Sequence, residues 1–284
     1  MSLRSTQKIS EKGKVTILIT NDDGIHARGL RAIIAVAREW ADVWVVAPER
    51  PQNAVGRALT LHKPLRLTEI RKQIYAVNGT PADCVTLGIE KLLQGETVTM
   101  VISGINDGLN IGDDVTNSGT VSGAIEAVLH GVPAIAVSQE GQENASYRRA
   151  AAIFTSRIAQ RVLAEGLPEE TMLNVNVPAR SLRKISGVKV TSLGRRRYLN
   201  PVVERIDPQG RKYYWIAGER LTWQRQKWSD FEAVSQGMVS ITPLHVDLTD
   251  YRLIKALEPW ESMLIDLKPA EARRQSQKKS ESAL

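Results

Sequence analysis

The segment Thr20-Asn21-Asp22-Asp23-Gly24-Ile25 sets two carboxylates side by side. Adjacent acids repel each other unless a cation or hydrogen-bond donors compensate them. Two readings stay open on this motif alone. In one, an aspartate caps the following helix and Gly24 supplies a positive φ. In the other, the pair holds a hard divalent cation, which takes oxygen ligands. Ser103–Gly112 (SGINDGLNIG) offers more such ligands, because the amides of Asn106 and Asn110 carry carbonyl oxygens. Its glycines at 104, 108 and 112 let backbone approach a ligand closely. The plain alternative is a long surface loop; its length and polarity without proline weigh toward function. Pro48–Gly56 (PERPQNAVG) is a third polar loop.

Asn117-Ser118-Gly119-Thr120-Val121-Ser122-Gly123 leads into a predicted helix. Backbone N–H groups and hydroxyls at a helix N-terminus form a natural phosphate cradle. A Ser/Thr N-cap explains one hydroxyl, and explains less well a cluster of hydroxyls and glycines. By the same logic Gly79-Thr80 is a second candidate oxyanion contact. His26, close to the acid pair, is a candidate for proton transfer or a plain surface histidine. The sequence holds no GxxxxGK[ST] phosphate loop, strand-linked GxGxxG, GxSxG elbow or HExxH pair. The Asp-Asp pair also lacks the Asp-x-Asp spacing of an aspartyl-phosphate hydrolase.

These loops need elements to position them. Val15–Thr20 and Val43–Ala47 read as strands buried on both faces. Gly29–Trp40 has helical spacing, and Ala58–Glu69 alternates as an edge strand or excursion. Thr80-Pro81-Ala82-Asp83 is a strong helix start, with the helix expected to reach about Leu93. Val98–Ile102 is a third strand, followed by a loop over Ser103–Asn117. A helix over about Thr120–His130, a strand at Ala134–Val137, a helix at Ala145–Glu165 and a strand at Met172–Val177 follow. Strands alternating with helices predict a parallel, doubly wound sheet. From about Ser181 hairpin-like segments follow at Gly187–Leu193, Arg197–Val203 and Lys212–Ala217, and Met238–Pro243 is placed as a strand returning to the main sheet. The expected fold class is α/β: a three-layer Rossmann-like core with a mostly parallel sheet and an appended β-rich hairpin arm. The organisation expected is a flexible tail over 1–14, an α/β catalytic core over 15–180, an arm with a returning, oligomerising segment over 181–268, and a flexible tail over 269–284.

Composition narrows the partners. An apolar share of 42% with 24% charged residues is that of a globular protein. No apolar run is long enough to cross a bilayer, and Met1–Lys14 has no apolar core of a secretory signal. The lone Cys84 excludes an internal disulfide and a cysteine-rich zinc site, and is read as a small core residue. A cytoplasmic setting is expected. Of the net charge of +7, the two terminal segments carry +3 and +2, which leaves only +2 on the body. The basic cluster Arg195–Arg197 is therefore read as an exposed loop or subunit contact, not a nucleic-acid patch. No specific nucleic acid and no membrane is expected as a partner.

Several stretches together resemble the SurE (stationary-phase survival) family of nucleotidases: ILITNDDGIHARGL (17–30), VVAPERPQNAVG (45–56), NGTPADCV (78–85), VISGINDGLNIGDDVTNSGTVSGAIEAVLHGVPAIAVS (101–138), LNVNVP (173–178) and VSITPLHVDLT (239–249). The resemblance implies one divalent cation, Mg²⁺ or Mn²⁺, and hydrolysis of nucleoside 5′- or 3′-monophosphates, with polyphosphate as an extra substrate. It implies a homodimer or homotetramer built partly by exchange of the arm and C-terminal segments. Carried over by position, the metal ligands are Asp22, Asp23, Asn53 and Asn106, with Asp22 and Asp23 catalytic. The phosphate contacts are Ser118, Gly119, Thr120, Asn106, Gly79 and Thr80. Where the family usually has serine, this chain has Asn53, whose amide carbonyl replaces a hydroxyl as oxygen donor. Arg57 and Ala58 stand where similar chains often carry His or Ser, a departure that bears on substrate choice. The rival readings are a non-catalytic nucleotide sensor using the same pocket, and a transferase holding a metal–nucleotide-sugar complex.

Overall fold

Alternate side chains of the central strands bury on opposite faces, and this alternation builds the layers. The computed structural model describes residues 15–141, 143–199, 202–216, 220–223 and 226–263. Strand β1 (Thr16–Thr20) sends Ile17 and Ile19 to one apolar layer and Leu18 to the other. Strands β2 (Asp42–Pro48) and β5 (Met100–Asp107) do the same with Val45 against Val46 and Ile102 against Val101. Helices α1 (Arg28–Ala37) and α4 (Ala145–Glu165) cover the first face, with Leu30, Ile33, Ala151 and Ala159 in its core. Helices α2 (Pro81–Leu87) and α3 (Gly119–Leu129) cover the second, with Cys84, Val85, Val121 and Ala124. The expected three-layer α/β arrangement is what the chain adopts.

The remaining strands are β3 (Leu67–Arg71), β4 (Ile74–Val77), β6 (Ala134–Gln139), β7 (Thr171–Val177), β8 (Gly187–Val190) and, after the arm, β13 (Met238–His245). The nine-stranded sheet runs β3-β4-β2-β1-β5-β6-β7-β13-β8. The six strands from β4 to β7 are parallel; β3 and β13 run antiparallel to their neighbours β4 and β7, and β8 pairs parallel with β13. The direction of winding reverses at β1 and β5. In open α/β sheets that switch point, at the carboxyl ends of the strands, is where ligands bind.

Several segments differ from the sequence expectation. The strand expected within 58–69 starts only at Leu67 and turns back at Gln73, whose φ of 64° makes a β3–β4 hairpin. Strand β5 continues through Asn106 and Asp107, where a loop was expected. Gly187–Val190 joins the main sheet beside β13 and not a hairpin. The short helix α5 (Asp230–Ser235) was not foreseen. The arm consists of β9 (Arg196–Leu199) paired with β12 (Arg220–Trp223), and β10 (Val202–Ile206) paired with β11 (Lys212–Ile216), all antiparallel. The tails expected at 1–14 and 269–284 lie outside the described residues.

The chain divides into two compact units, Met1–Val246 and Asp247–Leu284. In the second, helix α6 (Tyr251–Leu257) is capped by Asp250, whose side chain accepts the Arg252 N–H. Among the described residues no helix is long and apolar enough to cross a membrane.

Candidate active site

Asp22 and Asp23 follow β1 at the switch point. Asp22 is only 5% exposed, and its Oδ1 accepts the hydroxyl of Thr120, the second residue of α3. The Thr120 backbone N–H supports the same carboxylate, so Asp22 sits on the positive end of the α3 dipole. Close approach is possible because residue 119 is glycine. A Cβ there would fall 2.8 Å from Asp22 Cβ and 3.0 Å from its Oδ2. Ser118 caps the helix, its Oγ accepting the Val121 N–H at 3.1 Å.

Two more loops close on the pair. The Gln52 N–H donates to the Asp22 carbonyl at 2.7 Å, seating the loop that carries Asn53 beside the acids. Gly56 donates to the Asn117 carbonyl at 3.1 Å, tying that loop to the start of α3. Asn53 itself is exposed. Asp23 Oδ2 accepts the Asp107 N–H at 2.8 Å, so the end of β5 bonds directly to the acid loop. Asn106 directs its amide nitrogen to the Gly108 carbonyl at 2.8 Å. The structure therefore brings Asp22, Asp23, Asn106, Ser118, Gly119 and Thr120 to one corner, with the Asn53 loop beside them.

Gly79 and Thr80 stand at the same sheet edge beyond β4, inside a tight capping box. Thr80 Oγ1 donates to the Ala58 carbonyl at 2.7 Å and accepts the Asp83 N–H at 3.2 Å. Asp83 accepts from the Thr80 N–H and from both the N–H and the hydroxyl of Thr60. His26 is exposed.

Charge and burial oppose each other in the acid corner. Burial raises the Asp22 carboxyl above its ordinary range, against the bonds from Thr120 that lower it. Burial also pushes Asp23 up to about 6, opposed by the Asp107 N–H and assisted by the charges of Asp22 and Asp107. Buried carboxylates at such a cost invite a cation. The surrounding donors are oxygens. Asn21 Oδ1, adjacent in the chain, is buried without a hydrogen-bond partner. Among the described residues no three His, Cys, Asp or Glu side chains gather as a metal site. A cation here would draw on the two carboxylates and on amide carbonyls, a set that suits a hard ion such as Mg²⁺ or Mn²⁺.

Two groups escaped the sequence reading. Asp107 contributes a backbone N–H, which no side-chain pattern reveals. Asp230 is fully buried and accepts the N–H groups of Gly112 and Gly194, each at 2.8 Å. It pins the loop after β5 against α5. Asn110 does not face the acids. Its amide donates to Ser138 Oγ at 2.8 Å, its N–H donates to Asn176 Oδ1, and its carbonyl accepts from Asn174 and Asn176. Two asparagines at alternate positions of a buried strand were the available signal.

The geometry can be set against known proteins. A family model described as "Survival protein SurE" matches residues 17–200, more than half of the chain. The chain belongs to the SurE family. A relative from Geobacter sulfurreducens named "5'-nucleotidase SurE" is 50% identical over 247 residues, covering 87% of this chain and 94% of that protein. Another of the same name, from Caldanaerobacter subterraneus, is 46% identical over 255 residues, covering 88% and 98%. The crystal structure of the SurE protein from Aquifex aeolicus superposes with a TM-score of 0.79 at 44% identity, covering 87% of this chain and 99% of that one. The SurE match includes all three loops of the acid corner.

Proposed function

We propose that the chain is a metal-dependent nucleotidase that hydrolyses the phosphomonoester of nucleoside monophosphates, the 5′ isomers in the first place. The observation that carries this reading is the juxtaposition of two desolvated carboxylates with the N-terminus of α3, in a chain half identical to proteins named 5'-nucleotidase. Asp22, Asp23, Asn53 and Asn106 would hold one divalent cation, Mg²⁺ or Mn²⁺. When bound, that ion supplies Lewis-acid polarisation of the phosphoryl group and makes the attacking water more acidic.

The chain's own residues supply the rest. Gly119 and Thr120 begin α3, whose N-terminal end attracts an anionic phosphate and the charge that develops on it. Thr120 spends its hydroxyl proton on Asp22, so it positions that carboxylate while the helix end faces the phosphate. Ser118 Oγ keeps its own O–H for a phosphate oxygen while accepting from Val121. Asp23, whose Oδ2 is fixed by the Asp107 N–H, would also orient the attacking water. Gly79 would be an outer phosphate contact, and Thr80, whose hydroxyl and N–H are given to Ala58 and Asp83, would hold that turn in place. The 3′ isomers and polyphosphate are further substrates. The assembly is a homodimer or homotetramer in the cytoplasm, with 15–180 as the catalytic core and 181–268 as the arm that assembles it.

The test is phosphate release from nucleoside 5′- and 3′-monophosphates with Mg²⁺, with Mn²⁺ and with chelator. Turnover that needs the ion is expected. Tight nucleotide binding without release under any condition would replace the enzyme with a sensor.

A further inference from the structure

The arm begins at Arg196 and its last strand ends at Trp223; the chain segments on either side of it are bonded to each other. The Ser192 N–H donates to the Trp228 carbonyl and the Asp230 N–H to the Ser192 carbonyl, each at 2.9 Å. Asp230 lies at this junction, fully buried at the start of α5. Its Oδ1 accepts the N–H groups of Gly194 and Phe231 and its Oδ2 accepts the N–H of Gly112, all at 2.8 Å. None of these partners is a proposed metal ligand or phosphate contact.

Gly112 opens the 3₁₀ turn Gly112–Asn117, and the next residue is Ser118, the cap of α3. At the far end of that turn the Asn117 carbonyl accepts the Gly56 N–H from the loop that carries Asn53. One turn of six residues thus links the buried carboxylate to the N-terminus of α3. Asp23 is anchored separately, by the Asp107 N–H of β5. On the other side, a Cβ on Gly194 would lie 3.0 Å from Asp230 Oδ1, so the root of the arm packs directly against the carboxylate. An ionised carboxylate only accepts hydrogen bonds, and one that is bonded to three N–H groups fixes the three segments that carry them.

We infer that Asp230 is a positioning residue for phosphate: it fixes the approach to α3 against the root of the arm, so that the seating of the arm sets how well the helix end receives a phosphate. The inference rests on the nucleotidase reading and adds to it a residue outside the acid corner. A purely structural carboxylate would support stability and leave the phosphate affinity and turnover of the folded protein alone. A positioning carboxylate governs both, because a displacement of about 1 Å at the reacting group costs on the order of 10²-fold in rate. The cation, held by residues of β1 and β5, should be far less sensitive to it.

The experiment measures kcat/KM for AMP, the affinity for Mn²⁺, and the affinity for inorganic phosphate with Mn²⁺ present. It compares the wild type, Asp230→Asn, Gly194→Ala and the double variant at a temperature where circular dichroism shows each folded. Asp230→Asn should lower kcat/KM about 10²-fold and weaken phosphate binding about tenfold. Its dissociation constant for Mn²⁺ should change by less than about tenfold, below what the outer partners of a metal site cost. Gly194→Ala, which disturbs the carboxylate from the arm side, should cause a smaller loss of the same kind, roughly threefold to tenfold. The double variant should be no worse than Asp230→Asn, as for two changes at one contact. Folded Asp230→Asn with the wild-type kcat/KM and phosphate affinity would overturn the inference, as would loss of Mn²⁺ in step with phosphate, or single effects that multiply in the double variant. If Asp230→Asn does not fold, Gly194→Ala decides: weaker phosphate binding with Mn²⁺ retained supports the inference, and unchanged phosphate binding overturns it. If the wild type releases no phosphate from AMP, the hydrolase reading fails separately, and the phosphate affinities alone decide the role of Asp230.

Discussion

Two corners of the same sheet edge bury carboxylates and treat them in opposite ways. In the β4–α2 corner, Asp83 accepts three hydrogen bonds from Thr60 and Thr80 and closes a capping box. In the β1–α3 corner, Asp22 and Asp23 lie side by side, Asp22 held by Thr120 and Asp23 by one N–H from Asp107. A buried carboxylate saturated by donors stabilises the fold. Two adjacent carboxylates, of which Asp23 has a single donor and lies against the charges of Asp22 and Asp107, store an electrostatic cost that a cation relieves. Both corners begin with a hydroxyl N-cap, so the cap alone distinguishes nothing.

The largest effect expected in breaking this contrast is on catalysis. Asp22→Asn and Asp23→Asn should each lower kcat/KM for AMP on the order of 10³-fold or more, with circular dichroism unchanged. The mirror experiment is Asp83→Ala, which leaves the Thr60 and Thr80 N–H groups without their acceptor. It should cost about 2–3 kcal/mol, seen as a fall in Tm of roughly 5–10 °C, with kcat reduced less than tenfold. A catalytic collapse there without loss of stability would move Thr80 into the centre of the site.

Smaller effects follow from the raised carboxyls. The Asp23 pKa, 3.8 ordinarily, is about 6 when folded. The folded protein thus binds more protons than the unfolded chain between those values, and this group's contribution to stability is lost as pH rises from about 4 to about 6. In chelator at pH 7, Asp23→Asn should therefore raise stability, on the order of 1 kcal/mol after allowance for solvent screening, which differential scanning calorimetry can read. The advantage should disappear below pH 4. The smallest change expected is Asn53→Ser, which keeps an oxygen donor and should alter the ion's dissociation constant by less than about tenfold.

How legible all this was depends on where the information sits. Buried strands such as Val43–Ala47 and the capping box at Thr80 announce themselves through side chains, and the acid pair and the α3 N-terminus did so too. The continuation of β5 through Asn106-Asp107 did not, because polar residues at a strand end look like loop. Gly104 there has a φ of 139°, and a Cβ would lie 2.4 Å from the Val137 carbonyl, so the strand depends on a residue that reads as a breaker. Asp230 acts through N–H groups of residues 112 and 194, contacts that only the folded chain creates. The resemblance of the motif stretches placed the family; it did not reveal that Thr120 is bonded to Asp22.

The most direct test is the binding of Mn²⁺, followed by the paramagnetic resonance of the free ion, in the wild type, Asp23→Asn and Asp83→Asn at pH 7.5. The account predicts one bound ion per chain in the wild type and in folded Asp83→Asn, and loss of that ion in Asp23→Asn. Equal binding by the wild type and Asp23→Asn would contradict it, because the acid pair would then not be where the cation is held.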